Sequence, residues 1–245
     1  MKGKSSLKIA FFGDSLTEGN TGASYFNILR KKLSRHELFN YGRGGDTVIS
    51  LYRRLPQIDT LEAPMDMGFL WIGVNDVLVR TRRSLPLIKR LRKQPWAGDR
   101  REFKEYYRSI LELLHHKIGR LVTLPPLFIG EDLDNPWNRE LAALSDIIRD
   151  VTGTFPHTGF LDLRERFSSL LASKNTSPFV PKNIIGVVSD ALFTKAPEEL
   201  EKRAFAKGLH FTIDGVHLNT TGACMVAQAI QDKIRSDFPF PVCVV

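Results

Sequence analysis

A chain of 245 residues that is 42% hydrophobic and 25% charged has the balance of a globular protein with a substantial core. No apolar run approaches the ~20 residues of a membrane span, and the short basic N-terminus lacks the apolar stretch and cleavage site of a signal peptide, so the expected location is the cytoplasm. The net charge of +8 is concentrated: residues 80–104 hold ten Lys/Arg against Asp99 and Glu102, which accounts for all of it.

Five short, nearly continuous apolar runs follow in order, at 7–12, 38–41, 67–72, 121–124 and 158–163. Such runs suit parallel strands buried on both faces. Helical periodicity lies between them. It is carried first by Phe26, Leu29 and Leu33, then by Phe103, Tyr106, Ile110, Leu113 and Leu114. Leu141, Leu144, Ile148 and Val151 continue it. Ala223, Val226, Ala227, Ile230 and Ile234 form the last helix, after a start at Thr220/Thr221. Alternation of this kind predicts one α/β domain over 1–245, a parallel sheet of about five strands with helices on both faces. Two stretches break the rhythm, at about 80–102 and 172–209. The second holds Pro178, Pro181, Pro197 and a charged helix over 198–207. Both read as insertions, which in such folds often wall the ligand site. Of the two cysteines, Cys224 is expected as a buried helical thiol and Cys243 as a tail thiol.

The segments after the strands carry the chemistry. Gly13-Asp14-Ser15-Leu16 presents a serine at the end of the first strand. Asn40-Tyr41-Gly42-Arg43-Gly44-Gly45-Asp46-Thr47 lets backbone N–H groups approach a ligand just before a helix start. Gly73-Val74-Asn75-Asp76 offers a neutral amide donor, and Asp214-Gly215-Val216-His217 puts an acid and a base three residues apart on one turn. Taken alone, each reads equally as a cap, a turn or a hydrogen-bonded histidine. Together they place a nucleophile, a base, its orienting acid and oxyanion donors on one rim of a doubly wound sheet. The histidines 36, 115, 116, 157 and 210 read as structural.

These four segments resemble the sequence blocks of the GDSL/SGNH hydrolases: the literal Gly-Asp-Ser-Leu, then Gly-Gly-Asp-Thr, Gly-X-Asn-Asp and Asp-X-X-His, in order and spread across the chain. The resemblance implies a flavodoxin-like three-layer α/β/α sandwich. It implies a serine esterase working through an acyl-enzyme on a small-molecule ester, whether a lipid ester, a thioester or an acetylated sugar. Ser15 would be the nucleophile, His217 the base and Asp214 its orienting acid. Ser15 N–H, Gly45 N–H (or that of neighbouring Gly44) and the Asn75 amide would hold the oxyanion. No metal and no organic cofactor is implied.

The basic segment adds the expectation of an anionic substrate, against the plainer reading of a solvated surface. A nucleic-acid role lacks interleaved aromatics and a motif. Two alternatives differ in class. One is a metal-dependent phosphoesterase using Asp14, Asp46, Asp76, Asp214 and His217. The other is a non-catalytic module that docks to acidic surfaces through 80–104.

Overall fold

The structure, a computed structural model, describes residues 6–58, 63–81, 94–179 and 196–239. Five parallel strands form one sheet: β1 (Lys8–Gly13), β2 (Glu37–Gly42), β3 (Met65–Trp71), β4 (Ile118–Leu124) and β5 (Thr158–Phe160), in the order β2-β1-β3-β4-β5. That order is the flavodoxin-like one, and its reversal lies at the carboxyl ends of β1 and β3, where ligands of such sheets bind.

Pleating sorts the strand side chains between two cores. Ala10, Phe12, Leu70 and Leu121 pack under α3 (Val48–Arg54), α4 (Val74–Thr81), α5 (Arg100–His115) and α6 (Pro136–Thr152). Ile9, Phe11, Met67, Phe69, Trp71 and Val122 face α2 (Tyr25–Lys32), α7 (Leu163–Leu171) and α9 (Thr220–Asp237). The result is the expected α/β/α sandwich. A four-residue helix, α1 (Ser15–Glu18), follows β1 directly, and α8 (Pro197–Ala206) matches the charged helix expected over 198–207.

Several helices start where a side chain closes the first turn. Ser24, Thr47, Asp99, Asn135, Asp162 and Asn219 each accept an N–H from their own helix. Asp162 explains why the fifth strand is shorter than 158–163. Its carboxylate caps α7, so the chain turns helical at Leu163 although that residue closes the apolar run. The last helix begins at Thr220 with Asn219 as its cap. Gly73-Val74-Asn75-Asp76, read as a turn, opens α4 instead.

Cys224 is exposed, not buried. Ala223, Val226, Ala227 and Ile230 are the core side of α9, and a residue one step on from Ala223 is rotated about 100° away from that side. Cys243 lies outside the described residues, as do 82–93 of the first expected insertion and 180–195 of the second. No helix among the described residues is long and apolar enough to cross a membrane.

Candidate active site

Ser15 is the first residue of α1, held there by Asp14, whose carboxylate accepts the Leu16 N–H at 3.0 Å. The serine is half-buried. Its Oγ lies 3.0 Å from His217 Nε2, and His217 Nδ1 lies 2.7 Å from Asp214 Oδ2. The other Asp214 oxygen accepts the Val216 and His217 N–H groups at 2.9 and 2.7 Å. An ionised Asp214 at that distance fixes the proton on Nδ1 and leaves Nε2 as an acceptor facing the serine hydroxyl.

The acid and base sit on a tight turn. Ile213 N–H donates to His217 O at 2.8 Å, and Thr212 pairs antiparallel with Leu218. The turn is pressed onto the segment after α1: Ala23 N–H donates to Leu218 O at 2.8 Å. Gly22, at φ 72°, makes that approach possible. A Cβ there would lie 2.4 Å from Leu218 O and 3.5 Å from the His217 Cβ.

The glycine loop after β2 joins the same rim. Arg43 N–H donates to Gly13 O at 3.1 Å, two residues before Ser15. Gly45 has a left-handed φ of 77° and precedes Asp46, whose carbonyl accepts the Asn75 side-chain amide at 2.9 Å. That bond uses one amide hydrogen and leaves the other for a ligand. The structure therefore gathers Ser15, Asp214 and His217 into one hydrogen-bonded line, and links Asn75 to the Gly44–Gly45 loop through Asp46.

The field at the site is acidic. Burial lowers the His217 pKa, but the Asp214 charge and hydrogen bond, with Asp14 and Glu18 behind them, outweigh it and leave it raised. Burial would raise Asp214, and His217 with the two backbone N–H groups reverses that and lowers it. Asp14 is pushed up to about 7, chiefly by burial; Leu16 N–H and His217 oppose the shift, and Asp46 and Asp76 add to it.

Asp14 therefore carries a linkage with a definite sign. From about pH 4 to 7 the folded protein keeps a proton that the unfolded chain has released, so this group makes stability fall as pH rises, by about 4 kcal/mol across the window. Asp14→Asn keeps an oxygen for the Leu16 N–H and has no charge to bury. Urea unfolding should find it equal to wild type near pH 4 and more stable than wild type near pH 8. The same difference at both pH values would refute this account.

Among the described residues no group of three or more His, Cys, Asp or Glu is arranged to hold a metal. The aspartates of the metal alternative are engaged elsewhere. Asp46 pairs with Arg54 at 2.5 Å and accepts the Ser50 hydroxyl, and Asp76 accepts Val48 N–H at 3.0 Å. Part of the basic segment is also engaged: Arg80 and Arg100 both reach Glu140, at 3.4 and 2.6 Å.

One residue escaped the sequence reading. Glu131, fully buried in the loop after β4, binds the start of the Asp214–His217 turn. Nothing in the local spacing of Gly130-Glu131-Asp132 separates it from a surface acid.

In fold the chain is similar to the acetyl xylan esterase AlAXEase (22% identity, 93% of this chain and 100% of that one, TM-score 0.65). It is similar to Axe2, an acetylxylan esterase from Geobacillus stearothermophilus (20% identity, 98% of each chain, TM-score 0.64). LAE5, an alpha/beta hydrolase enzyme from the metagenome of Lake Arreo, Spain, is also similar (19% identity, 95% of each chain, TM-score 0.63). No curated protein matches the chain. Residues 11–223, most of the sequence, match the GDSL-like Lipase/Acylhydrolase family: the chain belongs to it and is a hydrolase of ester bonds.

Proposed function

We propose that the protein is a serine esterase in which Ser15 is the nucleophile, His217 the general base and Asp214 the residue that orients it. The observation that carries the reading is the continuous line from Ser15 Oγ to His217 Nε2 at 3.0 Å and from His217 Nδ1 to Asp214 at 2.7 Å. Ser15 Oγ attacks the carbonyl carbon as its proton passes to His217. The tetrahedral oxyanion is held by Ser15 N–H, Gly45 N–H and the free hydrogen of the Asn75 amide. The C–O bond to the alcohol breaks as His217 returns the proton to the leaving oxygen. Water, deprotonated by the same histidine, then releases the acid from the acyl-enzyme. The reading treats 1–245 as one catalytic domain, with insertions at about 80–102 and 172–209.

The test is hydrolysis of a p-nitrophenyl ester series, acetate to palmitate, by wild type and Ser15→Ala with EDTA present. The series should include a thioester and an acetylated sugar, the latter because the AlAXEase and Axe2 relatives are named for that substrate. Activity that depends on Ser15 and ignores EDTA supports the serine mechanism. Equal rates in both proteins would remove it.

A cleft beside the glycine loop favours an anionic substrate. It has a volume of about 210 Å³, and Arg43, Arg53, Arg54 and Gln94 are among its lining residues. Arg54 is bound to Asp46, whereas Arg43 and Arg53 are exposed. Charges at an open rim act through a screened field. The kcat/KM of a carboxylate-bearing ester is therefore expected to fall as salt is raised, while that of its neutral methyl ester stays level. Parallel behaviour of the two would sink the anionic reading.

A further inference from the structure

We infer that Glu131 is a positioning residue: it fixes the orientation of the Asp214–His217 turn without touching substrate. The inference rests on the catalytic roles proposed above. The turn belongs to no strand of the sheet, so its precision needs another source. Glu131 supplies it from the loop between β4 and α6. One carboxylate oxygen accepts Phe211 N–H at 2.8 Å, Thr212 N–H at 2.9 Å and the Thr212 hydroxyl at 2.8 Å. The other accepts His210 N–H at 2.6 Å. These donors are neutral and converge on one anion, a concave arrangement that binds a carboxylate better than an amide.

The contact is relayed onward. Thr212 gives its hydroxyl proton to Glu131, so the same oxygen is free to accept Gly215 N–H, at 3.1 Å. Gly215 O in turn accepts Gly130 N–H at 2.7 Å. The two peptides on either side of the Gly215 Cα are thereby tied to the adjacent residues 130 and 131, one directly and one through Thr212. That corner is itself rigid. Asn138 of α6 donates to Gly130 O at 3.1 Å and to Asp132 O at 2.8 Å, and accepts Ile129 N–H at 2.9 Å. Hydrogen bonds joined by single steps along the chain thus run from the start of α6 through Glu131 and Thr212 to Gly215, next to Asp214.

Glu131→Gln conserves size but turns an NH2 group toward backbone N–H donors. A displacement of the turn of even ~1 Å can cost about 100-fold in rate. The variant is expected to lose 10- to 100-fold in kcat, with KM within about twofold of wild type. Its acid pH limb should move to lower pH, because the raised pKa of His217 depends on the Asp214 contact. Rates are to be normalised to sites titrated with a fluorophosphonate, so that lost protein does not count as lost catalysis. Thr212→Val should reproduce the kcat loss and the pH shift, and Thr212→Ser should restore both. If Glu131→Gln does not fold, the Thr212 pair decides by the same readouts. Titratable variants with wild-type kcat and an unmoved acid limb would overturn the inference. Activity surviving in Ser15→Ala would instead overturn the serine mechanism beneath it.

Discussion

Ser15→Ala is expected to lower kcat on every active ester by roughly 10⁴-fold or more while leaving the fold intact. Ser15 is half-buried and its hydroxyl bonds to His217. Removing it leaves α1 capped by Asp14 and the Asp214–His217 pair unbroken. Thermal unfolding should therefore stay close to that of wild type, and binding of a non-hydrolysable ester analogue should persist. Stopped assays at equal concentrations of folded wild type and variant give the ratio. A residual rate within tenfold of wild type would mean that another group attacks the ester.

Asp214→Asn is expected to cost roughly 10³–10⁴-fold in kcat through the wrong tautomer. The amide can still accept the Val216 and His217 N–H groups on one atom. The other atom then presents a donor to His217 Nδ1, where an acceptor stood 2.7 Å away. The imidazole answers by carrying its proton on Nε2, aimed at the serine oxygen, and cannot serve as a base. The pH dependence makes a second signature. In wild type, catalysis needs neutral His217, so the rate climbs as pH rises through a pKa held above the ordinary 6.5. Without the carboxylate, burial dominates and the acid limb should move to lower pH. An unchanged limb would show that His217 is not the titrating base.

Of the proposed catalytic groups, Ser15, the Gly44–Gly45 loop and Asn75 were legible because each follows a strand whose apolar run is nearly unbroken, and Asp214 and His217 because they stand three residues apart in the terminal loop. The parallel order then brings those ends together. Boundaries failed where a polar side chain overrode an apolar pattern, as Asp162 does after β5. In α4 the buried Val74, Val77 and Leu78 have helical spacing, but Gly73, Asn75 and Asp76 made the segment read as a turn. Cys224 shows that helix phase, and not residue type, decides exposure. Glu131 was illegible for another reason. Its partners are distant in sequence, and it meets Phe211 across 80 positions.

Ser15 and His217 are separated by 202 positions, yet they share one hydrogen bond. Closing so long a loop has an entropic cost that the packing of the intervening elements must offset. The proposed nucleophile lies next to the first strand, whereas its proposed base is delivered just before the last described helix. No partly folded form that lacks that helix's docking can hydrolyse an ester by this route. By this route turnover would report that the two ends of the sequence have been brought together, and a defect in docking the last described helix would be read out at the serine.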